Sequence, residues 1–205
     1  MPLLGPTLVC EELGDFEPRD LGSVRAQFAA RDRCVMKQGW LASPEPGLRA
    51  GSVRIARRGE ILVVFAELDD EDFYNSAARS NQRFWELGDC LEIFLHAEGA
   101  PHYLEFQMTP TGLPAQLRIP IPRPKAEPEK FMVAEPLFAG QVWPEARHWA
   151  ALAWIPFASV GGPPTSFSVS RYDYTRGEGK PVLSSTSPHS VLDFHRREEW
   201  GRLTY

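Results

Sequence analysis

Two glutamates with strand spacing are the residues of this 205-residue sequence best placed to do chemistry. Glu92 and Glu105 occupy the polar positions of two segments that alternate between apolar and polar residues, and Gln107 shares the parity of Glu105. A pair of carboxyl groups is what glycoside hydrolysis requires. The same groups can instead hydrogen-bond sugar hydroxyls, or they can be solvated or ion-paired residues of a strand face. The sequence contains no nucleophile elbow and no phosphate-binding loop, so we expect no enzymatic activity.

Trp85 lies beside Glu86 in a predicted loop that leads into a strand. An indole next to acceptor groups offers a flat apolar surface for the C–H face of a sugar, while its hydroxyls take the polar partners. Packing of the indole onto the domain body is the alternative. We predict a ligand-binding set of Trp85, Glu92, Glu105, Gln107 and Arg171.

Arg171 is included because its position in its strand is unusual. It shares parity with Phe167 and Val169, so its guanidinium should point inward, where it needs carboxylates or carbonyl groups as partners. It therefore either forms a buried ion pair or lines a polar groove.

An acidic turn follows one buried strand and is the candidate metal site. Asp69, Asp70 and Asp72 offer the clustered oxygen ligands that calcium prefers, although the turn lacks the spacing of an EF-hand loop. A solvated, charged turn is the alternative. The five histidines form no His-x-His or His-x-x-x-His pair, and we predict that His195 pins the C-terminal segment through a hydrogen bond.

Composition limits the class of partner and the compartment. The net charge of -5 argues against non-specific nucleic-acid binding, and no segment has transmembrane length. The three cysteines match no zinc or redox motif, which fits a reducing compartment. Because no leader is visible at the N-terminus, we expect a cytoplasmic protein, or a secreted one if the N-terminus is truncated. The sequence does not indicate the oligomeric state.

The elements that would position these residues are strands. Ser52–Arg57, Ile61–Leu68, Leu91–His96, His102–Met108, Trp149–Ile155 and Phe167–Tyr172 have strand patterns. Ile61–Leu68 is apolar at both parities, which predicts a central strand, whereas His102–Met108 alternates as in an antiparallel sheet with one polar face. Leu21–Met36 favours neither a short helix nor a strand. Six prolines between residues 110 and 130 predict an extended loop or an edge strand.

Short strands separated by many prolines and glycines predict an all-β fold, an antiparallel β-sandwich with a jelly-roll or immunoglobulin-like two-sheet architecture. Residues 1–205 should form one domain, of which residues 1–50 are weakly patterned.

Five blocks, in this order, resemble the family 9 carbohydrate-binding modules: Leu62–Asp72, Trp85–Leu95, Tyr103–Phe106, Trp149–Phe157 and Phe167–Tyr205. The resemblance covers about residues 50–205. It implies a β-sandwich that binds a mono- or oligosaccharide without cleaving it, often with bound calcium. Trp85 is similar to one of two tryptophans that sandwich the sugar in that family. The second would fall within Ser184–Pro188, where this chain has Thr186.

Two alternatives from other classes stay open. DOMON-like sandwiches can hold haem for sensing or redox chemistry, and Met108 with a histidine or lysine would be the axial pair. The chain could also be a cytoplasmic protein-interaction module with a vestigial sugar site, contacting its partner through Pro110–Pro128.

Overall fold

The computed structural model describes residues 5–205, and two β-sheets make up most of it. The strands are β1 (Thr7–Val9), β2 (Cys34–Val35), β3 (Gly51–Arg58), β4 (Ile61–Asp69), β5 (Cys90–Ala97), β6 (His102–Met108), β7 (Pro114–Pro120), β8 (Ala139–Glu145), β9 (His148–Pro156), β10 (Pro164–Asp173), β11 (Val182–Ser185) and β12 (Gly201–Thr204). The helices are α1 (Leu21–Phe28), α2 (Phe84–Leu87) and α3 (Phe157–Val160), with 3₁₀ turns at Pro128–Phe131 and Arg197–Glu199.

The first sheet, sheet A, has seven strands in the order β1-β12-β10-β5-β6-β7, and β11 pairs with the second half of β10. The second sheet, sheet B, has the order β2-β3-β4-β9-β8. Neighbouring strands are antiparallel except β1 and β12, which are parallel. The predicted antiparallel β-sandwich is therefore confirmed.

The main core lies between the two sheets. Sheet A contributes Leu91, Ile93 and Leu95 from β5 together with Leu104 and Phe106 from β6, on the parity that the alternation predicts. Sheet B contributes one face of β3, β4 and β9. Apolar side chains from both sheets interdigitate there, and their burial supplies most of the favourable free energy of folding.

Strand β4 is buried on both faces, as its continuous apolar run predicts. Val64 faces the main core, whereas Val63 and Phe65 face a second cluster on the outer side of sheet B. Helix α1 covers that side with Val24 and Phe28. The Asp20 carboxylate caps the helix by accepting hydrogen bonds from the backbone amides of residues 22 and 23.

The outer face of sheet A differs from the solvated face that alternation predicts. Two irregular segments cover it: residues 121–138, here called the proline-rich loop, and residues 186–200, here called the C-terminal loop. The Gln116 amide of β7 donates to the carbonyl of Val133 at 3.1 Å and anchors the first segment. Trp200 donates its indole N–H to the carbonyl of Phe194 at 2.8 Å and holds the second. Polar residues of β5 and β6 are consequently buried.

Several stretches with weak sequence patterns form regular elements in the structure. Residues 21–36 contain both α1 and β2, and the proline-rich β7 is an edge strand, as expected. Strands β8 and β11 were not predicted. Strand β12, at the C-terminus, lies between β1 and β10 in sheet A.

The single-domain prediction includes residues 1–4, which lie outside the described residues. The expectation about an N-terminal leader also depends mostly on those four residues. Among residues 5–205 no helix has the length and apolar character needed to cross a bilayer.

Candidate ligand-binding site

A cavity of about 390 Å³ lies on the outer face of sheet A, between the sheet and the two loops that cover it. We call it the aromatic pocket. Strands β5, β6 and β10 contribute Glu92, Glu105 and Tyr172, and the C-terminal loop contributes Phe194 and His195. Trp85, Arg123 and Phe131 are further lining residues. Aromatic rings around a few convergent polar groups are typical of small-molecule sites.

Trp85 reaches the pocket from the one-turn helix α2, not from the loop that was expected. Its neighbour Phe84 is fully buried and anchors the turn. The Tyr174 hydroxyl donates to the carbonyl of Trp85 at 2.7 Å, and the Asn75 amide donates to the carbonyl of Phe84 at 3.0 Å. The indole itself stays half-buried. A fixed backbone with a partly open ring suits stacking against a ligand.

Helix α2 is also tied to the proline-rich loop. The Arg83 guanidinium donates to Glu127 at 2.7 Å and to Glu129 at 2.8 Å. These pairs are exposed, so each contributes little to stability. They nevertheless join the two segments that supply Trp85 and Phe131 to the pocket wall.

The floor of the pocket is a pair of carboxyl groups. Glu92 and Glu105 are each only 3% exposed. The amide nitrogen of Gln107 donates to Glu92 Oε1 at 3.1 Å and to Glu105 Oε1. Strand register explains the cluster, because Gln107 lies directly opposite Glu92 and two residues from Glu105. Side chains with this relation point to the same face of an antiparallel sheet.

Burial changes the ionisation of both acids. It raises the pKa of Glu105 to about 7, although the hydrogen bond from Gln107 works against this. Burial also raises the pKa of Glu92 well above its usual value, and the neighbouring charge of Glu105 adds to the effect. Protonation of either group relieves the repulsion of two like charges.

This arrangement differs from that of a glycosidase. Hydrolysis needs two carboxyl groups flanking a bond, separated by about 5 Å or more. Here Glu92 and Glu105 share one amide donor on the same floor. The floor can hold a hydroxyl or another donor, but it does not place the acids on opposite sides of a scissile bond.

His195 forms part of the wall and also has the anchoring role that the sequence predicts. Its Nδ1 and the Tyr103 hydroxyl are hydrogen-bonded at 2.8 Å. Burial lowers the pKa of His195 to about 4, with the nearby Arg123 charge as a smaller cause. The imidazole is therefore neutral at pH 7. Its Nε2 lies 4.0 Å from Glu105 Oε2.

Thr186 does not reach the pocket as a substitute for a second tryptophan. It is 8% exposed, its hydroxyl accepts from the Val169 amide at 3.0 Å, and its own amide donates to the Val169 carbonyl at 2.9 Å. Tyr172 and Phe194 supply the additional rings instead. Their contribution was missed, although the outward parity of Tyr172 followed from the inward parity of Arg171.

The prediction that Arg171 contacts the ligand needs correction. The Arg171 side chain is 1% exposed and points between the sheets, away from the aromatic pocket. Its Nη2 lies 2.8 Å from Asp70 Oδ2 and 3.3 Å from Asp173 Oδ2. Of the two roles considered, the structure has the buried ion pair. That pair joins β10 of sheet A to the end of β4 in sheet B.

The predicted calcium ligands also do not lie together. Asp69 is exposed and contacts His148, whereas Asp72 accepts a hydrogen bond from the backbone amide of Arg176. Only Asp70 belongs to a buried carboxylate cluster, and its other members are Asp89 and Asp173. Strand register explains this cluster, since Tyr172 pairs with Cys90 and the next residues outward are the two aspartates.

This cluster already has its partners and does not fit a calcium ion. Asp70 and Asp173 share the Arg171 guanidinium, and Asp173 also pairs with Arg49 at 2.8 Å. Both oxygens of Asp89 accept backbone hydrogen bonds, from Tyr74 at 2.6 Å and from Tyr174 at 2.8 Å. The two arginines already neutralise Asp70 and Asp173.

The structure also shows where the residues suggested for haem binding and for protein interaction lie. Met108 is buried between the sheets and packs against Gly140, and it does not line the aromatic pocket. The stretch Pro110–Pro128 divides into edge strand β7 and the first part of the proline-rich loop. Haem binding and protein interaction both stay predictions.

No family model and no curated protein matches the sequence. The chain is similar in structure to a candidate carbohydrate-binding protein from Bacteroides uniformis ATCC 8492, with a TM-score of 0.73 and 16% identity over 97% of this chain and 98% of that one. It is also similar to a family 9 carbohydrate-binding module from Caldicellulosiruptor kristjanssonii. In complex with cellotriose the TM-score is 0.65 at 9% identity, over 97% and 92% of the chains. In complex with glucose it is 0.66 at 9% identity, over 97% and 95%. The chain thus has the fold of these modules, as the sequence resemblance implies.

Proposed function

We propose that this protein binds a mono- or oligosaccharide in the aromatic pocket and does not cleave it. The observation that carries the proposal is that Trp85, Glu92 and Glu105 line one cavity, with Tyr172 and Phe194 beside them. Rings can stack on the C–H faces of a pyranose, while the carboxyl groups accept hydrogen bonds from its hydroxyls. The complexes of the similar module with glucose and cellotriose support the choice of ligand class.

We expect a modest affinity. The pocket is preformed but small, and a sugar must exchange well-solvated hydroxyls for protein partners. A dissociation constant from about micromolar to about millimolar follows for a small site of this kind.

Isothermal titration calorimetry with glucose, cellobiose and cellotriose tests the proposal. Trp85→Ala should weaken binding at least tenfold, because it removes the half-buried ring of the pocket wall. Trp143→Ala is the matched control. Trp143 is also half-buried, but it lies on β8 of sheet B, where its indole donates to the Arg19 carbonyl at 3.1 Å. Binding of none of the sugars, or equal loss in both variants, would refute a site at Trp85.

A separate experiment tests the proposal that the protein does not cleave the sugar. Prolonged incubation with cello-oligosaccharides should leave their chain lengths unchanged on chromatography. Hydrolysis that disappears in both Glu92→Gln and Glu105→Gln would show that the acid pair is catalytic after all.

A further inference from the structure

We propose that the aromatic pocket prefers a sugar that carries a protonated amine, a hexosamine, over the corresponding neutral sugar. The inference rests on the proposed function and names the chemical class of its ligand. Its basis is that two buried carboxyl groups, Glu92 and Glu105, meet on the pocket floor with no basic side chain paired to them at hydrogen-bonding distance among residues 5–205.

The floor is rich in acceptors and poor in donors. The amide nitrogen of Gln107 is already used by the two glutamates. Its oxygen has no partner within the described chain, but Gln107 is fully buried and does not itself line the pocket. A hydroxyl group donates one hydrogen bond, whereas an ammonium group donates three and accepts none. An ammonium group therefore matches this floor better than a hydroxyl does.

The second buried acid cluster of this protein shows what the pocket lacks. Asp70 and Asp173 are neutralised by the buried guanidinium of Arg171, and Arg49 adds a further partner. No such pairing is found at Glu92 and Glu105 in the described residues. Because buried charges are costly unless paired, a cationic ligand would compensate the floor of the pocket as Arg171 compensates the other cluster.

The charged and titratable groups around the pair supply only part of that compensation. The charge of Arg123, in the proline-rich loop, lowers the pKa of Glu105, but burial raises it by more. The Arg123 side chain is about half exposed and lies 3.9 Å from Asp193 of the C-terminal loop. His195 is neutral at pH 7, since burial lowers its pKa to about 4. The other titratable neighbours are Cys90 of β5, Tyr103 of β6 and Tyr172 of β10, and burial raises the pKa of each. None of these three is a cation.

The aromatic lining of the pocket also favours a cationic ligand. Trp85, Tyr172 and Phe194 border the same cavity as the acids. Cations are attracted to the faces of aromatic rings, and desolvation strengthens the attraction. A hexosamine offers a ring with C–H faces for stacking and an ammonium group for the acids. It therefore uses both features of the lining.

Binding of an ammonium group should release a proton. Burial raises the pKa of Glu105 to about 7, so this group is still partly protonated near pH 7, and burial also raises the pKa of Glu92 well above its usual value. A cation placed between the carboxyl groups favours their ionised form. A neutral sugar has no such effect.

Titration calorimetry at pH 7 and low salt with D-glucosamine, D-glucose and N-acetyl-D-glucosamine is the experiment. An amine with a pKa of about 8, as in an α-amino group, is mostly protonated at that pH. We expect glucosamine to bind at least tenfold more tightly than the other two. Repeating the titration in buffers of different ionisation enthalpy should show proton release with glucosamine and none with glucose.

The Glu105→Gln variant tests the cause. Glutamine keeps the size of the side chain and removes its charge, so glucosamine affinity should fall at least tenfold and by a larger factor than glucose affinity. Glu145→Gln is the control, because Glu145 is exposed on sheet B and pairs with Arg25. Should Glu105→Gln not fold, Glu92→Gln makes the same test, and the wild-type comparison does not depend on either.

The outcomes separate this inference from the proposed function. Equal binding of glucose and glucosamine, or tighter binding of the acetylated sugar, overturns the amine preference and leaves carbohydrate binding intact. Binding of none of the three sugars overturns the amine preference, and the titrations with cellobiose and cellotriose then decide the proposed function separately. Glucosamine binding without proton release, and unchanged in Glu105→Gln, also overturns the inference.

Discussion

Glu92 and Glu105 lie on different strands, yet they accept hydrogen bonds from the same amide nitrogen of Gln107. Two acids that would face solvent on an ordinary antiparallel sheet are instead buried beneath two loops. Burial favours the protonated form of each. The cost of ionising them should therefore appear as a pH dependence of stability.

Glu105→Gln should gain stability relative to the wild type as the pH rises. The folded-state pKa of Glu105 is raised from 4.5 to about 7, so the folded protein binds the proton more tightly than the unfolded chain. The contribution of this proton to the free energy of unfolding is fully present below about pH 4.5 and is lost as the pH rises through 7. The shift corresponds to about 3 kcal/mol. Urea unfolding of both proteins at pH 4.5 and pH 8 measures the change in their difference.

His195→Gln provides a comparison of opposite sign. The pKa of His195 is lowered to about 4, so the wild type loses stability as the pH falls from 6.5 towards 4, and the variant should lose less. The Glu105 and His195 contributions change stability in opposite directions with pH and partly cancel in the wild type. The two variants are therefore needed to separate them. A constant difference between Glu105→Gln and the wild type from pH 4.5 to pH 8 would contradict the buried acid pair.

Strand parity explains how much of the site the sequence revealed. Glu92 and Glu105 were found because each occupies a polar position in a strand whose alternate residues are apolar, and strand register then brings them together. Gln107 has the same parity, but it is fully buried, donates to the two acids and does not line the pocket. Trp85 was found as a ring beside this pattern. Phe194 and Arg123 were not found, because irregular loops carry them to the pocket and periodicity gives no information about loop paths.

The fold, like the site, was predictable where strands have a regular apolar pattern and not elsewhere. Strands that face the main core, such as β4 and β6, have the regular patterns that identify them. Strand β8 is only half-buried and contains Gly140 and Pro144, and β11 ends in two serines, so neither has a clear pattern. The partners of Asp70 were missed because Asp89 and Asp173 are remote in sequence and meet only through the pairing of β5 with β10.

Arg171→Ala should destabilise the protein by about 3–5 kcal/mol, since it leaves buried carboxylates without their cation. The guanidinium joins Asp173 on sheet A to Asp70 at the end of β4, so the loss affects the contact between the sheets. Lower pH should reduce the defect, because burial already raises the pKa of Asp173 and raises that of Asp89 to about 7. Denaturant unfolding at pH 5 and pH 8 measures both effects.

Arg147→Ala is the matched control for that variant. Arg147 pairs with Glu71 in the same acidic turn, but both side chains are exposed. Its removal should cost less than about 1 kcal/mol. Equal destabilisation by the two substitutions would show that burial of the Arg171 pair is unimportant.

Calcium should not affect stability. The oxygens of Asp70, Asp89 and Asp173 already contact arginines or backbone amides, so a calcium ion has no free ligand set in this cluster. The melting temperature should shift by less than about 1 °C between 1 mM calcium chloride and 1 mM EDTA. A ligand at a hundred times its dissociation constant would add about 3 kcal/mol and raise the melting temperature by several degrees. A rise of that size with calcium would contradict the assignment of Arg171 as the partner of this cluster.

Thr186→Trp should destabilise the protein without adding a second stacking ring. Thr186 is 8% exposed and its hydroxyl accepts from the buried amide of Val169, so an indole there would overfill a packed site and leave that amide unpaired. Thr186→Val should lose about 1–3 kcal/mol through the missing hydrogen bond alone, whereas Thr186→Ser, which keeps the hydroxyl, should lose less. Urea unfolding and glucose titration of the three variants measure these effects. A stable Thr186→Trp protein that binds glucose more tightly would place residue 186 at the pocket and contradict the position found for it.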